Sequence, residues 1–582
     1  MRQRADAVGS PEWLNRRLSR RQAVRGGVVA LGGGVLFLVG CSSSNNNKNS
    51  AVATATRAAP APATGGAPGT AAASAAASVA AGSPRPAGSA VAIPPGKPGG
   101  NLVTIVGDNP TSLDPHAGQG GGDHQFFWTM HDNLVNYDQQ GNLDPTQSLA
   151  QSWEIAEGTK ITFHLRSGIK FTDGTPFDGN AVKFNTTRVL DPATKSSAFA
   201  QMSAIDSVQV VDPTTVTFVL KQPNAALLTN LGDRGGAIIS PAAAQKYGQD
   251  YGRNPVGTGP YIFKEWVQSD HITVTKNPNY WAKDGAGTAL PYLDSVRWNV
   301  VPDPTVGLAN LDAGTVDVFV LSPGDVDNIS KNSKYQVTSV KGGGWSGTYV
   351  NQALAPLDDV HFRRALGHAI DKAAILKAVF FDKGVLGIGP LGASSWAFNP
   401  GLKGLDFDLT AAKQELTQSK NPNGAKVEII TINTSIYQQH TELWKQMASK
   451  AGIDLSITPL ATADLTNRDY VLKNAPLNLA GFSARVDPDG MTADVLGSQG
   501  FYNPGHQPNQ QLDDLIAKAR ETYNQNERKK LYDQVQQLAI DQVYDYYVLY
   551  GTGYAAGQSK VKNLNTLWGP EGKQRYKWLY LG

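Results

Sequence analysis

Apolar residues recur along this chain in two rhythms. Between Lys160 and Phe171 every second residue of Ile161, Phe163 and Leu165 is apolar, and a turn follows at Ser167-Gly168. That is the period of a half-buried strand. Val208 to Leu220 repeats it around Asp212-Pro213, so both segments are expected to be antiparallel hairpins. From Phe362 to Phe380 the spacing changes to three and four. Phe362, Ala365, Leu366, Ala369, Ile370 and Ala373 then share one stripe of an expected helix. Leu512, Leu515, Ile516 and Ala519 mark a second helix, and Leu531, Val535 and Leu538 a third. Asn524 and Glu527 stand at capping-box spacing between them. The charged run Glu527 to Lys530 reads as a solvated helix face. No repeat of about 20–50 residues runs through the chain, which excludes a solenoid.

The first hundred residues follow neither rhythm. Ser19 to Arg25 places Arg20-Arg21 before a short, glycine-rich apolar run, Gly26 to Gly40. The run is too short for a membrane-spanning helix, which needs roughly 20 residues. A basic region followed by a short apolar one has the layout of an export signal, expected over residues 1–40. The arginine pair resembles a twin-arginine signal, with Ala23 and Val24 where bulkier residues are usual. Leu38 to Cys41 resembles a bacterial lipobox, which implies that Cys41 is the lipidated N-terminus of the mature protein. Stable anchoring takes more than one acyl chain, and lipoprotein processing supplies them. Residues 41–100 are rich in Ala, Ser, Pro, Gly, Thr and Asn and cannot bury a core, so a lipid-anchored disordered tether is expected. A chain of that length has a root-mean-square reach of about 40 Å.

Composition sharpens the division. The chain has 582 residues, 41% of them hydrophobic and 17% charged, which excludes a coiled coil and predicts two or three domains. Its net charge of +3 describes no real part of it. Residues 1–41 carry +5 and residues 42–100 carry +4, leaving −6 on residues 101–582. An acidic body without a basic stripe argues against nucleic acid as a partner. The single cysteine lies outside that body, so disulfides do not hold it together.

Chemical motifs are sparse. Gly387 to Gly392 spells G-x-G-x-x-G, but Pro390 stands where the phosphate-facing helix would start. His116, His124 and His131 with Asp123 fit no metal-ligand spacing and read as surface loop histidines. Asp487 and Asp489 could imitate a hydrolase pair, though acids beside a proline more often cap turns. No serine elbow, HExxH or phosphate loop is present. No catalytic residue, metal or cofactor is expected.

Several segments, taken in order, resemble one family. They are Ser112 to Pro115, Leu149 to Phe184, Pro255 to Phe263, Asn277 to Trp281, Ala309 to Phe319 and Phe362 to Asp371. The series is similar to extracellular solute-binding protein family 5, the oligopeptide- and dipeptide-binding type of ABC importers. The resemblance implies an α/β, two-lobed, periplasmic-binding-protein-like fold of type II, with an inserted subdomain and a hinge. Lobe I would comprise residues 101–141, 256–345 and 549–582, the insert 142–255, and lobe II 346–548. The implied function is capture of a small-molecule or peptide ligand by hinge closure, outside the cytoplasm, and delivery to an ABC permease by a monomer. The family's ligands include peptides, metal chelates, haem, opines and sugars. A secreted hydrolase of peptides or sugars, or a sensor coupled to a membrane kinase, are the alternatives.

The implied binding residues follow the motifs. Gly481 to Gly490 resembles a family segment in which an aspartate commonly pairs with the ligand's α-amino group; here Arg485 stands near that place. Arg485 is expected either to receive a ligand carboxylate or stack on a ring, or to pair with Asp487 or Asp489 and shape the loop. Phe482 and Asp487 join it as candidates. Gly342 to Gln352 resembles the strand that enters the second lobe. It contributes Trp345, Tyr349 and Asn351, with glycines that permit close backbone approach. Trp396 and His124 complete the set, the latter in a glycine-rich loop, Gly118 to His124, expected at the cleft mouth.

Overall fold

A computed structural model describes residues 95–582, except Gly343 and Gln507. The export signal, Cys41 and the tether up to residue 94 lie outside the described residues. Among those described, no helix is long and apolar enough to cross a membrane.

One mixed sheet of twelve strands runs through the body, and two of its strands carry the chain between the lobes. The longest, Asp545–Gln558, pairs through residues 545–549 with Trp345–Val350, which continues to Leu477–Phe482, Lys426–Ile432 and Asp454–Leu460. Its other half pairs with Tyr335–Lys341 and Val318–Val320, leading to Asn101–Val106, Ser295–Val300, His271–Lys276 and Tyr261–Val267. The two halves therefore belong to two cores. Leu102, Val274, Val296, Trp298 and Leu567 pack in the first lobe, while Phe362, Ile375, Ile429, Trp444 and Leu479 pack in the second. Where the strands cross, backbones come very close: a Cβ on Gly342 would lie 1.7 Å from the Gly551 carbonyl oxygen. Only glycine fits there.

A separate four-stranded sheet forms between residues 150 and 220, in the order Ala150–Ala156, Lys160–Leu165, Thr215–Leu220, Ile205–Asp212. The expected hairpin around Asp212-Pro213 is present as Ile205–Asp212 paired with Thr215–Leu220. The hairpin expected across Ser167-Gly168 is not. Lys160–Leu165 has Ala150–Ala156 on one edge and Thr215–Leu220 on the other, so no edge is left for residues 166–171. Gly168 still turns the chain, at φ +75°.

The helix expected from Phe362 to Phe380 is two helices, Val360–His368 and Lys372–Phe380. Asp371 breaks it by capping the second, its Oδ1 accepting from the Ala374 N–H at 2.9 Å. Gln510–Glu521 and Gln525–Asp541 form as expected. Asn524 Oδ1 accepts from the Asn526 and Glu527 N–H groups, which is the Asn524 half of the capping box.

Candidate ligand-binding cleft

A cavity of about 460 Å³ lies between the two lobes. The strand pairing explains its second-lobe wall: Trp345 lies opposite Phe482, and Tyr349 follows four residues on, so their rings cluster on one face. The Trp345 ring centroid is 4.8 Å from that of Tyr349 and 5.2 Å from that of Tyr547. The first-lobe wall comes from two turns, Gln119 to Gly122 and Glu571 to Lys573. A neighbouring cavity of about 370 Å³ shares Gln119 and Tyr470 with it and is lined by Phe199 and Phe501.

Direct contacts close the lobes around this space. Tyr502 Oη donates to the Gln119 carbonyl at 3.1 Å, and the Thr462 N–H to Asp108 Oδ2 at 3.3 Å. The Ala225 N–H donates to the Arg520 carbonyl at 2.7 Å, and Gln201 Nε2 donates to Asp494. One further bridge is ionic. Arg485 Nε, in the loop after the strand Leu477–Phe482, lies 3.1 Å from Asp233 Oδ2 in the run Gly232 to Gly236. Asp233 also accepts from His124 Nε2 at 2.7 Å and from the Arg234 N–H at 2.8 Å. Burial alone would raise its pKa, but the cations around it outweigh that and hold its carboxyl far below the usual range. Burial likewise opposes the charge of Arg485, and Asp233 more than restores it.

The family model for bacterial extracellular solute-binding proteins, family 5, middle part, matches residues 144–503. The chain belongs to this family. This family 5 protein is 29% identical over 452 residues to the glutathione-binding protein GsiB of Escherichia coli, covering 75% of this chain and 86% of that one. Among solved structures it resembles the ABC transporter-associated periplasmic binding protein DppA from Helicobacter pylori in complex with peptide STSA. That match has 25% identity and a TM-score of 0.76, and covers 83% of this chain and 98% of DppA. The dipeptide-binding protein from Pseudoalteromonas in complex with Met-Leu has the same fold, at 24% identity and a TM-score of 0.75, with 83% and 100% covered. The fold of this family 5 protein is two-lobed and mixed α/β.

In this family 5 protein, Trp345, Tyr349, Phe482 and Arg485 meet on the cavity wall, beside the Gln119 to Gly122 turn. Four other candidates lie elsewhere. His124 stands behind the wall, holding Asp233. Asn351 Nδ2 donates to the Lys473 carbonyl at 3.0 Å, away from the cavity. Trp396 packs against Tyr532, with centroids 5.8 Å apart. Asp487 is buried beneath the loop, bound by Arg528. Arg485 pairs with Asp233 and with neither Asp487 nor Asp489, because Arg528 and Arg520 hold those two acids.

Two readings of polar residues change. Arg528, expected on a solvated face, is buried, since the helix Gln525–Asp541 turns it toward the Asp487 loop. His116, His124 and His131 are buried rather than on surface loops; His116 Nε2 reaches the Ala237 carbonyl at 2.8 Å and His131 Nε2 the Tyr251 hydroxyl at 3.0 Å. In Gly387 to Gly392 the Ile388 and Gly389 N–H groups donate to the Tyr550 hydroxyl, so they are not available to a phosphate. Asp233, Glu571 and Lys573 were not foreseen. Asp233 sits in the turn-like run Gly232 to Gly236 and Lys573 in the turn after Pro570, positions that carry no periodicity.

Proposed function

We propose that this protein captures a peptide-like solute in the cleft between its lobes and passes it to the permease of an ABC importer. The observation that carries the reading is the cavity itself, walled by aromatic rings from one lobe and glycine-bearing turns from the other. Its volume falls in the range of small-molecule sites, roughly 300–1,000 Å³, which suits a short peptide or conjugate. The relatives named for glutathione and for peptides support that ligand class. Ligand touching both lobes favours the closed form by its differential affinity for it, and no covalent step is needed. Trp345, Tyr349, Phe482 and Arg485 are the proposed contacts, while Asp487 shapes the loop that carries Arg485.

The division into lobes and insert is proposed at residues 101–141, 256–345 and 549–582, at 142–255, and at 346–548. The protein is further proposed to be a monomer, exported by the twin-arginine route and held at the outer face of the membrane by lipid on Cys41. Native mass spectrometry of the purified chain, followed by calorimetry with glutathione and with tripeptides, tests the reading. Stoichiometric binding without product supports it, and conversion of the ligand overturns it. Release of the protein from membranes by Cys41→Ala tests the anchor.

A further inference from the structure

Three charged residues line the main cavity: Arg485, Glu571 and Lys573. Two have their counterions within the protein. Arg485 faces Asp233 at 3.1 Å, and Glu571 accepts from Arg575 Nη2 at 2.5 Å. The Lys573 side chain has no hydrogen bond or ion pair among the described residues, although its carbonyl accepts from the Gly569 N–H at 2.8 Å. Its Nζ stands about one contact distance from the glycine turn, 4.0 Å from where a Cβ on Gly121 would be. The Arg485 guanidinium is also incompletely used. Nη1 donates to the Ser483 and Ala484 carbonyls, each at 3.2 Å, and Nη2 makes no hydrogen bond among the described residues.

These two cations come from opposite lobes. Lys573 belongs to the C-terminal segment of the first lobe and Arg485 to the second-lobe loop after the strand Leu477–Phe482. Closing the lobes thus brings like charges toward one cavity; Asp233 pairs directly with Arg485, whereas Glu571 and Asp233 favour the Lys573 charge only from a distance. Burial first, and then Arg485, push the Lys573 ammonium down to about 8. A half-buried ammonium without a direct counterion is unfavourable unless an anion joins it.

We propose that the ligand presents a carboxylate, or an anion of like geometry, between Lys573 and the free edge of Arg485, and that this anion drives closure. The inference rests on the solute-receptor reading and narrows its ligand to one with an acidic group. The Lys573 ammonium supplies a point charge and Arg485 a directional N–H donor, so together they bind a carboxylate from both lobes. A neutral ligand of the same shape leaves the two cations facing each other and closes the cleft less well.

The test uses the full chain and an equimolar tripeptide pool in two forms, free acid and C-terminal amide, read by competition in native mass spectrometry. Lys573→Met and Lys573→Arg are carried alongside, with thermal unfolding as the folding control. The wild type should prefer the free acids by about tenfold or more, the scale of truncating a buried charge pair. Lys573→Met should lose that preference while unfolding at an unchanged or higher temperature, and Lys573→Arg should keep most of it. Equal binding of acid and amide by the wild type, or an unchanged preference in Lys573→Met, overturns the inference and leaves the receptor reading standing. A parallel series measures thermal stabilisation by succinate against chloride at equal ionic strength. If neither tripeptide form binds, the peptide reading falls. The anion inference then stands on stabilisation of the wild type, absent in Lys573→Met, and falls without it.

Discussion

Arg485 and Asp233 form an ion pair at the back of the cavity wall, 3.1 Å between Nε and Oδ2, joining the loop after the strand Leu477–Phe482 to the run Gly232 to Gly236. Both side chains are nearly buried, so solvent screens the pair little. Hinge closure in this protein therefore has a protein-made fastening beside whatever the ligand contributes. Asp233→Asn keeps the carbonyl oxygen that accepts from the Arg234 N–H but removes the charge. The variant should be more open without ligand, seen as a larger radius of gyration in solution scattering. An unchanged radius would mean that the other interlobe hydrogen bonds suffice.

Beneath the same loop, Arg528 donates from Nη1 to Asp487 Oδ2 at 2.9 Å and from Nη2 to Asp487 Oδ1 at 2.7 Å. Removing one member of such a buried, bidentate pair leaves a carboxylate without its counterion. Arg528→Met should cost about 3–5 kcal/mol of stability in urea unfolding. Pairing it with Asp487→Leu should recover much of the loss. A single-variant cost below about 1 kcal/mol would class the pair with surface bridges.

Asp545 should contribute a share of stability that falls as pH rises from about 4 to 8. Burial pushes Asp545 up to about 8, and neighbouring Asp469 up to about 7. An unfolded aspartate titrates near 3.9. Between those values folded Asp545 keeps a proton that the unfolded chain has released, so its contribution falls with rising pH and levels off above about 8. Asp545 accepts from the Val350 N–H at 3.2 Å, a bond an amide oxygen also makes. Asp545→Asn should make the change of melting temperature from pH 5 to pH 8 less negative, or more positive, than in the wild type, because it removes one group that loses stability over that range. A parallel slope in the variant would locate the dependence elsewhere.

Gly347 lies where the second-lobe strands meet, and a Cβ there would stand 1.9 Å from the Tyr546 carbonyl oxygen. The neighbouring atom is backbone within a paired strand, so it cannot swing aside. Gly347→Ala should cost about 1–3 kcal/mol or more through forced backbone shifts. Its effect is read as a lower urea midpoint at unchanged slope. An unaffected midpoint would show that the strand pair separates freely there.

Local pattern was legible wherever the relevant contacts are close in sequence. Strand alternation in Ile161 to Leu165, the Asp212-Pro213 hairpin and the helical stripes at Leu512 and Leu531 all follow from nearest-neighbour geometry. The ordered motifs brought out the family, and with it the two-lobed architecture. Edge occupancy was not legible. The partner of Lys160–Leu165 depends on Thr215–Leu220, some fifty residues downstream, which no local window contains. A helix break at Asp371 was within reach, since aspartate competes for backbone N–H groups.

The cleft divides in the same way. Trp345 and Tyr349 share a face through the two-residue period of one strand, which follows from the chain itself, while Phe482 joins them only through the pairing of that strand with Leu477–Phe482. Their counterparts are set by distance in space. Asp233 and Arg485 are 252 positions apart, and Lys573 reaches the cavity through a turn near the C-terminus. Charge pairing among Arg485, Asp487, Asp489, Arg520 and Arg528 depends on which cation arrives first at which carboxylate, and packing of the helix Gln525–Asp541 beneath the loop decides it. Side-chain period is a property of backbone geometry and needs only neighbours; electrostatic partnership depends on separations of a few ångströms that folding alone creates.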